Sequence, residues 1–388
     1  MQVSKLCHKL LFGTTHLKRL NTLSDVVSTS LSHKTLSVTQ IARRLKGSAK
    51  TKSNIRKIDR LLSNEKLVDD VESIYSKMNS WIINSKHPYL NIDGSKLLNI
   101  NFCTLRATLQ LKGRGITIYE IVYSQKENGS PKLYKKFLNG LSRVLPKDFC
   151  PTLVTDAEFR VPWFKLVVKK NWNFIGRIRG DRYIALDKNF CGYTHVTKLY
   201  TVERIETPES LGYGELNKEK SMEGYFYRYK SKPKGRHAYT RSGRHSETDK
   251  SKKYAKQHNE AWVLFSSLDE SAKKIICAYA NRMTIEENFR DTKSARFGLA
   301  LDLTRSKLKK RYIIMLMIAM ITSSIAYIIG ALGEKNKLQY DFQANSIRHK
   351  RVLSRFFLGF ELVFRNYKFR FEEFIYTIES CNLEVEYD

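Results

Sequence analysis

The chain has 388 residues, 69 of them Lys or Arg and 38 Asp or Glu, for a formal net charge of +31. A content of 42% hydrophobic and 12% aromatic residues excludes a disordered polycation, and the length suffices for two or three domains with a sizeable core. Such a charge costs self-repulsion in the compact state, which points to a polyanionic partner, nucleic acid before an anionic membrane, and disfavours a small acidic ligand.

The first residues, MQVSKLCHKLLFGTTHLKRL, lack an apolar run followed by a small-residue cleavage site, so no signal peptide is expected. Residues 1–80 read as a basic helical region, a candidate for binding DNA. Ser37 to Gln40 forms a capping-box pattern opening the helix TQIARRL,. A turn at Lys46-Gly47-Ser48 leads to the basic helix Lys50 to Leu62. There Ile55, Ile58, Leu61 and Leu62 make an apolar stripe, and Lys52, Arg56, Lys57 and Arg60 point elsewhere. The pattern is compatible with a helix-turn-helix DNA reader, which the net charge favours over a plain helical bundle.

Residues 81–180 change texture. Pro88 to Lys96, Phe102 to Lys112 and Gly115 to Tyr123 read as consecutive antiparallel strands,. A helix from Leu133 to Leu145, a strand from Pro151 to Asp156, a helix from Val161 to Lys170 and a strand from Trp172 to Ile178 follow. This order predicts an α/β fold with a mixed sheet. Residues 181–260 break the rhythm and read as a β-rich or partly disordered insertion. Its basic segment, Arg228 to His258, either touches phosphates or is a solvated loop,.

Residues 261–334 resume with the strand Trp262 to Leu268 and a long helix from about Ser271 to Lys293. Tyr312 to Gly333 then runs 22 residues without a charge, behind the basic Lys307 to Arg311. It is long enough to span a bilayer, but it is a lone span in a strongly charged chain and contains Thr322, Ser323 and Ser324, so it reads as a buried core helix. Residues 335–388 form a basic, aromatic, helical tail. The six cysteines (Cys7, Cys103, Cys150, Cys191, Cys277, Cys381) are scattered without zinc spacing, which predicts reduced thiols in a cytoplasmic protein,. No Gly-rich phosphate loop indicates a nucleotide cofactor.

On a continuous helix through Ile275 to Lys293, Tyr279, Arg282, Glu286 and Lys293 share one stripe with Ile275 and Met283. Glu286 would then face inward, either as the i,i+4 ion-pair partner of Arg282 or as a functional acid. Asp93 lies in a strand of apolar and small residues, where an unpaired carboxylate is costly. Asp156 closes the strand TLVTD at a carboxyl end, where α/β sheets place their sites. If those strands are neighbours, Asp93, Asp156 and Glu286 can converge on hard cations. Two Mg²⁺ ions about 4 Å apart would then clamp the attacking and leaving oxygens of a phosphodiester.

The set Tyr279, Arg282, Glu286, Lys293 fits Y-x2-R-x3-E-x6-K. In this the chain resembles the bacterial insertion-sequence transposases of the family numbered four, which includes the transposase of the tetracycline-resistance composite transposon. HLKRLNTL (His16 to Leu23), KIDRLL (Lys57 to Leu62), TDAEFRVPWFK (Thr155 to Lys165), RMTIEENFRDTKS (Arg282 to Ser294) and FQANSIRHKRVLS (Phe342 to Ser354) are similar to family segments. The resemblance implies a ribonuclease-H-like core with Asp93, Asp156 and Glu286 as its catalytic and metal-binding triad. It implies two Mg²⁺ ions, replaceable by Mn²⁺, and a β-rich insertion between the second acid and the glutamate. It assigns Arg282 and Lys293 to DNA phosphates and Tyr279 to supporting them. Trp262 takes the position where a relative stacks a flipped base, against a plain core role for that side chain. The implied partners are double-stranded transposon ends and target DNA, bound by a homodimer at the bacterial nucleoid and without a membrane. Met283 departs from the tryptophan some relatives carry, and the tail is short beside relatives with a separate dimerisation domain. The rival reading is a catalytically inactive DNA-binding regulator of the same fold.

Overall fold

The computed structural model of the chain describes residues 3–98, 101–186, 192–200, 205–230, 246, 248–249, 251, 260–347, 350–380, 384–385 and 387. Cys191, Cys381 and most of the basic segment Arg228 to His258 lie outside the described residues. Among the described cysteines Cys7, Cys103, Cys150 and Cys277 are free thiols. The chain forms two compact units, Met1–Pro151 with Met283–Glu386, and Thr152–Arg282 with Tyr387–Asp388.

The first unit opens with helices α1 (Val3–Leu10), α2 (Leu17–His33), α3 (Val38–Arg44), α4 (Thr51–Leu62) and α5 (Glu65–Ile82). The connection from α3 to α4 is closed by the buried Asn54, whose Nδ2 donates to the carbonyls of Ala42 (3.1 Å) and Ala49 (3.4 Å). The expected capping box does not form at α3. Ser37 occupies the N-cap, but its Oγ pairs with Thr39 Oγ1 at 3.2 Å. Its N–H, which Gln40 would have capped, donates instead to Thr35 Oγ1 at 3.1 Å.

Strands β1 (Tyr89–Lys96), β2 (Phe102–Leu111) and β3 (Arg114–Ser124) then form an antiparallel meander, close to the expected limits, followed by α6 (Pro131–Val144). Along β2, Cys103, Leu105, Ala107, Leu109 and Leu111 alternate with Thr104, Arg106, Thr108 and Gln110, the pattern of a strand with one wet face. Both faces are nevertheless buried. The β2–β3 register shifts between Ala107 and Thr108. The buried Asn79 of α5 donates to the carbonyls of Ile118 (3.1 Å) and Val144 (3.0 Å), tying α5 to β3 and to the end of α6.

The second unit contains β4 (Thr152–Thr155), α7 (Val161–Val168), β5 (Asn173–Ile178), β6 (Tyr183–Leu186), β7 (Thr194–His195), β8 (Ile205–Leu216), β9 (Met222–Lys230), β10 (Trp262–Ser266) and α8 (Ala272–Ala280). Its sheet runs β4-β5-β10-β9-β8-β6-β7, with β4 and β5 parallel across α7 and the remaining pairs antiparallel. Together the elements make a mixed α/β protein. The aromatic core of this unit stacks Phe164 on Phe174 at 4.5 Å and packs Phe265 against Phe174 (5.2 Å) and Phe226 (4.9 Å). Gly176 is required here, because a Cβ would lie 2.4 Å from the Phe164 ring.

The expected continuous helix from Ser271 to Lys293 is broken. Helix α8 ends at Ala280, Asn281–Met283 form a 3₁₀ turn, and α9 (Thr284–Lys293) starts afresh. A 3₁₀ turn advances about 120° per residue instead of about 100°. A wheel drawn through Tyr279 therefore loses its phase before Glu286.

The chain ends with α10 (Lys309–Lys335), α11 (Arg355–Phe364) and α12 (Phe371–Ser380), all in the first unit. Helix α10 carries the charge-free stretch. By length and composition it could cross a membrane, yet 94% of its apolar window is buried inside the protein. Its polar side chains are absorbed internally, Thr322 and Ser324 donating to the carbonyls of Ile318 (2.7 Å) and Met320 (2.9 Å). The basic residues in front of it pair with the helical region, Arg311 with Asp59 at 2.7 Å and Lys310 with Glu65. Helices α10 and α11 meet backbone to backbone. A Cβ on Gly330 would lie 1.7 Å from the Arg355 carbonyl oxygen, and one on Gly359 would lie 1.8 Å from that of Ala326.

Candidate active site

Helix α9 lies on the polar face of the β1–β3 meander. Its buried residues include Ile285, Asn288, Phe289, Asp291 and Thr292. With Ile285 at 0°, Asn288, Phe289 and Thr292 fall at about −60°, +40° and −20°, whereas Glu286 and Lys293 fall at about +100° and +80°. Glu286 is accordingly exposed rather than directed into the protein as the unbroken helix would have it.

The flank shared by Glu286 and Lys293 is the one beside β1. Lys293 Nζ donates to Ser95 Oγ at 2.7 Å and to the Lys96 carbonyl. At the other end of the helix Asn91 Nδ2 donates to Thr284 Oγ1 at 3.0 Å. Asn91, Asp93 and Ser95 alternate onto one face of β1, so α9 runs alongside the strand in the same direction. Nine helical rises span about 13.5 Å and four strand rises about 13 Å, so the two pieces match in length. Asp93 lies midway along that run, half-buried, with its Oδ1 accepting the Gly94 N–H at 2.7 Å. The two acids of this unit therefore sit on adjoining elements, Asp93 on β1 and Glu286 on the flank of α9 that also carries Lys293.

Burial lowers the Lys293 pKa, and Arg106 lowers it further. The ammonium is held against β1 and also stands over the Phe289 ring at 5.6 Å.

Beneath the helix lies a buried polar network. Arg106, 1% exposed, donates from Nε and Nη2 to Glu120 Oε2 at 3.0 and 2.8 Å. Its Nη1 donates to Asn288 Oδ1 (2.6 Å) and Thr292 Oγ1 (3.1 Å), and its plane stands over Phe289 at 4.6 Å. Glu120 also accepts from Thr104 Oγ1 (3.0 Å) and Tyr75 OH (3.3 Å). On the far side of α9, Arg114 pairs with Glu287, and its Nε lies 3.0 Å from Asp291 Oδ2 without an aligned hydrogen bond. Burial pushes the Asp291 carboxyl up to about 6 against the pull of Arg114 and Arg290.

In the second unit, Asp156 follows β4 half-buried, and its Oδ1 accepts the Glu158 N–H at 2.9 Å. Tyr279 of α8 is buried, and burial raises its phenol pKa against the opposing charges of Arg282 and Arg177; Asp156 raises it too. Asp156, Arg177, Tyr279 and Arg282 are thus electrostatic neighbours. Arg282 stands over the Tyr279 ring at 5.9 Å, and Trp262, half-buried at the start of β10, meets Tyr279 edge-on at 5.0 Å. Arg177 of β5 is not among the expected site residues, and among the described residues its buried Nε has no hydrogen-bond partner. A lone arginine in the apolar strand NFIGRI is the same kind of signal that marks Asp93.

Lys52, Arg56, Lys57 and Arg60 are exposed on α4. Arg56, Lys57 and Arg60 line a groove completed by Lys18 and Arg19 of α2. Two of these cations are paired, Lys57 with Asp25 at 3.0 Å and Arg19 with Asp70 at 3.0 Å. The α2 contribution is not legible from one helix at a time, although Lys18 and Arg19 belong to the segment HLKRLNTL.

Asp93 and Glu286 supply hard oxygen donors of the kind that suit Mg²⁺. Among the described residues no group of three or more His, Cys, Asp or Glu side chains is gathered as a metal site. A family model described as the transposase DDE domain matches residues 91–322, which include Asp93, Asp156 and Glu286. No curated protein matches the chain.

Proposed function

The chain belongs to the family of transposase DDE domains, and from that premise we propose that it is a cut-and-paste transposase with a ribonuclease-H-like core. It binds the inverted repeats at the ends of a mobile element, hydrolyses phosphodiester bonds there and joins the freed 3′-OH to target DNA. The observation that carries this reading is that Asp93 and Glu286 lie on adjoining elements, β1 and α9, inside the matched domain.

In this reading Asp93 and Glu286, with Asp156 as the third acid, hold two Mg²⁺ ions, for which Mn²⁺ substitutes. When bound, the ions supply Lewis-acid stabilisation of charge on the attacking and leaving oxygens. The chain's own residues position the DNA. Arg282 holds a phosphate at its fixed fork. Tyr279, its phenol kept protonated by burial, donates a hydrogen bond and takes no part as a base. Lys293 keeps β1 and α9 in register and adds positive charge beside the acids. Trp262 stacks on an unpaired base. The groove between α2 and α4 takes the backbone of the end sequence, in a homodimer bound to two DNA ends, and the work is done in the cytoplasm at the nucleoid.

A supercoiled plasmid carrying the inverted repeats that flank the gene tests this, with Mg²⁺ present. Wild-type protein nicks and linearises it. Asp93→Ala, Asp156→Ala and Glu286→Ala lose cleavage by at least about a thousandfold, as expected when a group acting on the transition state is removed, and retain end binding in a mobility-shift assay. Cleavage by Glu286→Ala at the wild-type rate removes the triad. End binding without cleavage by the wild-type chain would make it a regulator.

A further inference from the structure

We propose that Arg106 is a positioning residue for the candidate site: one buried guanidinium sets the helix that carries Glu286 against the strand that carries Asp93. The proposal deepens the functional reading above and rests on it for the roles of the two acids.

The argument begins with register. Arg106 on the central strand β2 is the cross-strand partner of Asp93 on β1 and of Glu120 on β3. Directly opposed residues of an antiparallel sheet share a face, so the three side chains stand in a row across the meander on the face α9 covers. Glu120 holds the Arg106 fork through two hydrogen bonds to one oxygen, 3.0 and 2.8 Å. That fixes the guanidinium plane and aims Nη1 at the helix. Nη1 then meets Asn288 Oδ1 at 2.6 Å and Thr292 Oγ1 at 3.1 Å, one turn apart on α9.

Two acceptors one turn apart fix both rotation and height of a helix. Both acceptors are themselves oriented. Asn288 Nδ2 donates to the Gly115 carbonyl at 3.0 Å, Thr117 Oγ1 donates to Asn288 Oδ1 at 3.0 Å, and Thr292 Oγ1 donates to the Asn288 carbonyl at 3.0 Å. Glu286 lies two residues before Asn288, about 160° around the axis from it, on the flank of Lys293. A rotation of α9 by one residue would carry its carboxylate about 100° around the axis.

Chemistry explains why a cation does this work. Apolar side chains of similar volume would bury this face at lower desolvation cost, since a buried ion pair is weak evidence for stability. Apolar packing is non-directional and tolerates sliding, whereas a planar fork with fixed donors does not. A site that needs two carboxylates on different elements held within a fraction of an ångström gains from the second kind of contact.

The test uses the full-length protein and two variants. Arg106→Met with Glu120→Gln removes both charges while leaving an acceptor for Tyr75 and Thr104. Arg106→Lys keeps a cation beside Glu120 and loses the fork, so Glu120 is not stranded. Three quantities are read: hydrogen exchange of the 284–293 amides, Mn²⁺ affinity by electron paramagnetic resonance, and the Mg²⁺ concentration giving half-maximal plasmid cleavage. In both variants we expect faster exchange across α9 and a metal requirement raised about tenfold or more, with retained cleavage at saturating metal. Exchange and Mn²⁺ affinity equal to wild type in a folded variant overturn the proposal. Wild-type protein that binds Mn²⁺ yet never cuts DNA overturns the transposase reading instead, and the exchange and affinity readings still decide the role of Arg106.

Discussion

Helices α9 and α10 follow one another in the chain and are buried by opposite chemistries. Helix α10 buries Ile, Met, Leu and Ala all round; its Thr322 and Ser324 hydroxyls turn back onto its own carbonyls, and Tyr327 reaches across to the Lys112 carbonyl. Helix α9 is covered through Asn288, Asp291 and Thr292, which reach across to Arg106, Arg114 and the β3 backbone. The first kind of burial is strong, with each fully buried Ile or Leu contributing roughly 1.5–3 kcal/mol, and indifferent to direction. The second contributes less net stability and specifies one orientation. The helix bearing a candidate site acid is the one seated by directional contacts.

The apolar side of this contrast breaks most easily where the packing is closest. Gly330→Val places a side chain against the Arg355 carbonyl, where a Cβ already falls at 1.7 Å. Helices α10 and α11 must separate or shift, and we expect a loss of about 3 kcal/mol or more in urea unfolding. An unchanged midpoint would mean that the crossing is loose and that burial of α10 does not depend on it.

The same contrast governs what the sequence reveals. Strands β1, β2 and β3, helices α6 and α7, and strands β4, β5 and β10 are legible within a few residues, because turns and period-two patterning announce them. Helix α10 is legible as core because nothing on it wants water. The 3₁₀ turn at Asn281–Met283 is not, since no Gly or Pro marks it, and it breaks the wheel that would set Glu286 on the inward stripe. The polar face of β2 misleads for a different reason. Arg106 looks solvent-facing until α9, 182 residues downstream at Asn288, supplies its partners. Asp93 stands out in its strand, whereas Arg106 belongs to an ordinary alternating one. Pairwise contacts of that sequence separation leave no local trace.

A smaller effect sharpens the polar side. The Asp291 carboxyl ionises at about 6 in the folded chain against an ordinary 3.8, because burial outweighs Arg114. The folded state therefore holds this proton more tightly than the unfolded state. The resulting stabilisation is full below about pH 4 and is lost as pH rises through 6. Comparing wild type with Asp291→Asn isolates it. The stability difference between them should favour wild type more at pH 4 than at pH 7.5, by on the order of 2 kcal/mol. Parallel stability–pH curves for the two proteins would remove Asp291 as a titrating element of the α9 seat.

The smallest effect is the sharpest comparison, because it applies one substitution to both helices. Thr322→Val in α10 and Thr292→Val in α9 each delete a buried hydroxyl and keep the shape. In α10 the lost bond is internal, to the Ile318 carbonyl, which keeps its own helical donor, so the cost should stay within about 0.5 kcal/mol. In α9 the hydroxyl also accepts from Arg106 Nη1, and its loss leaves a buried charged donor one acceptor short. That should cost about 1–2 kcal/mol, measurable as a shift in the urea midpoint at constant slope. If the two threonines cost the same, the network under α9 is packing and no more directional than the apolar helix beside it. If Thr292 costs more, the difference measures what Arg106 adds by aiming at it.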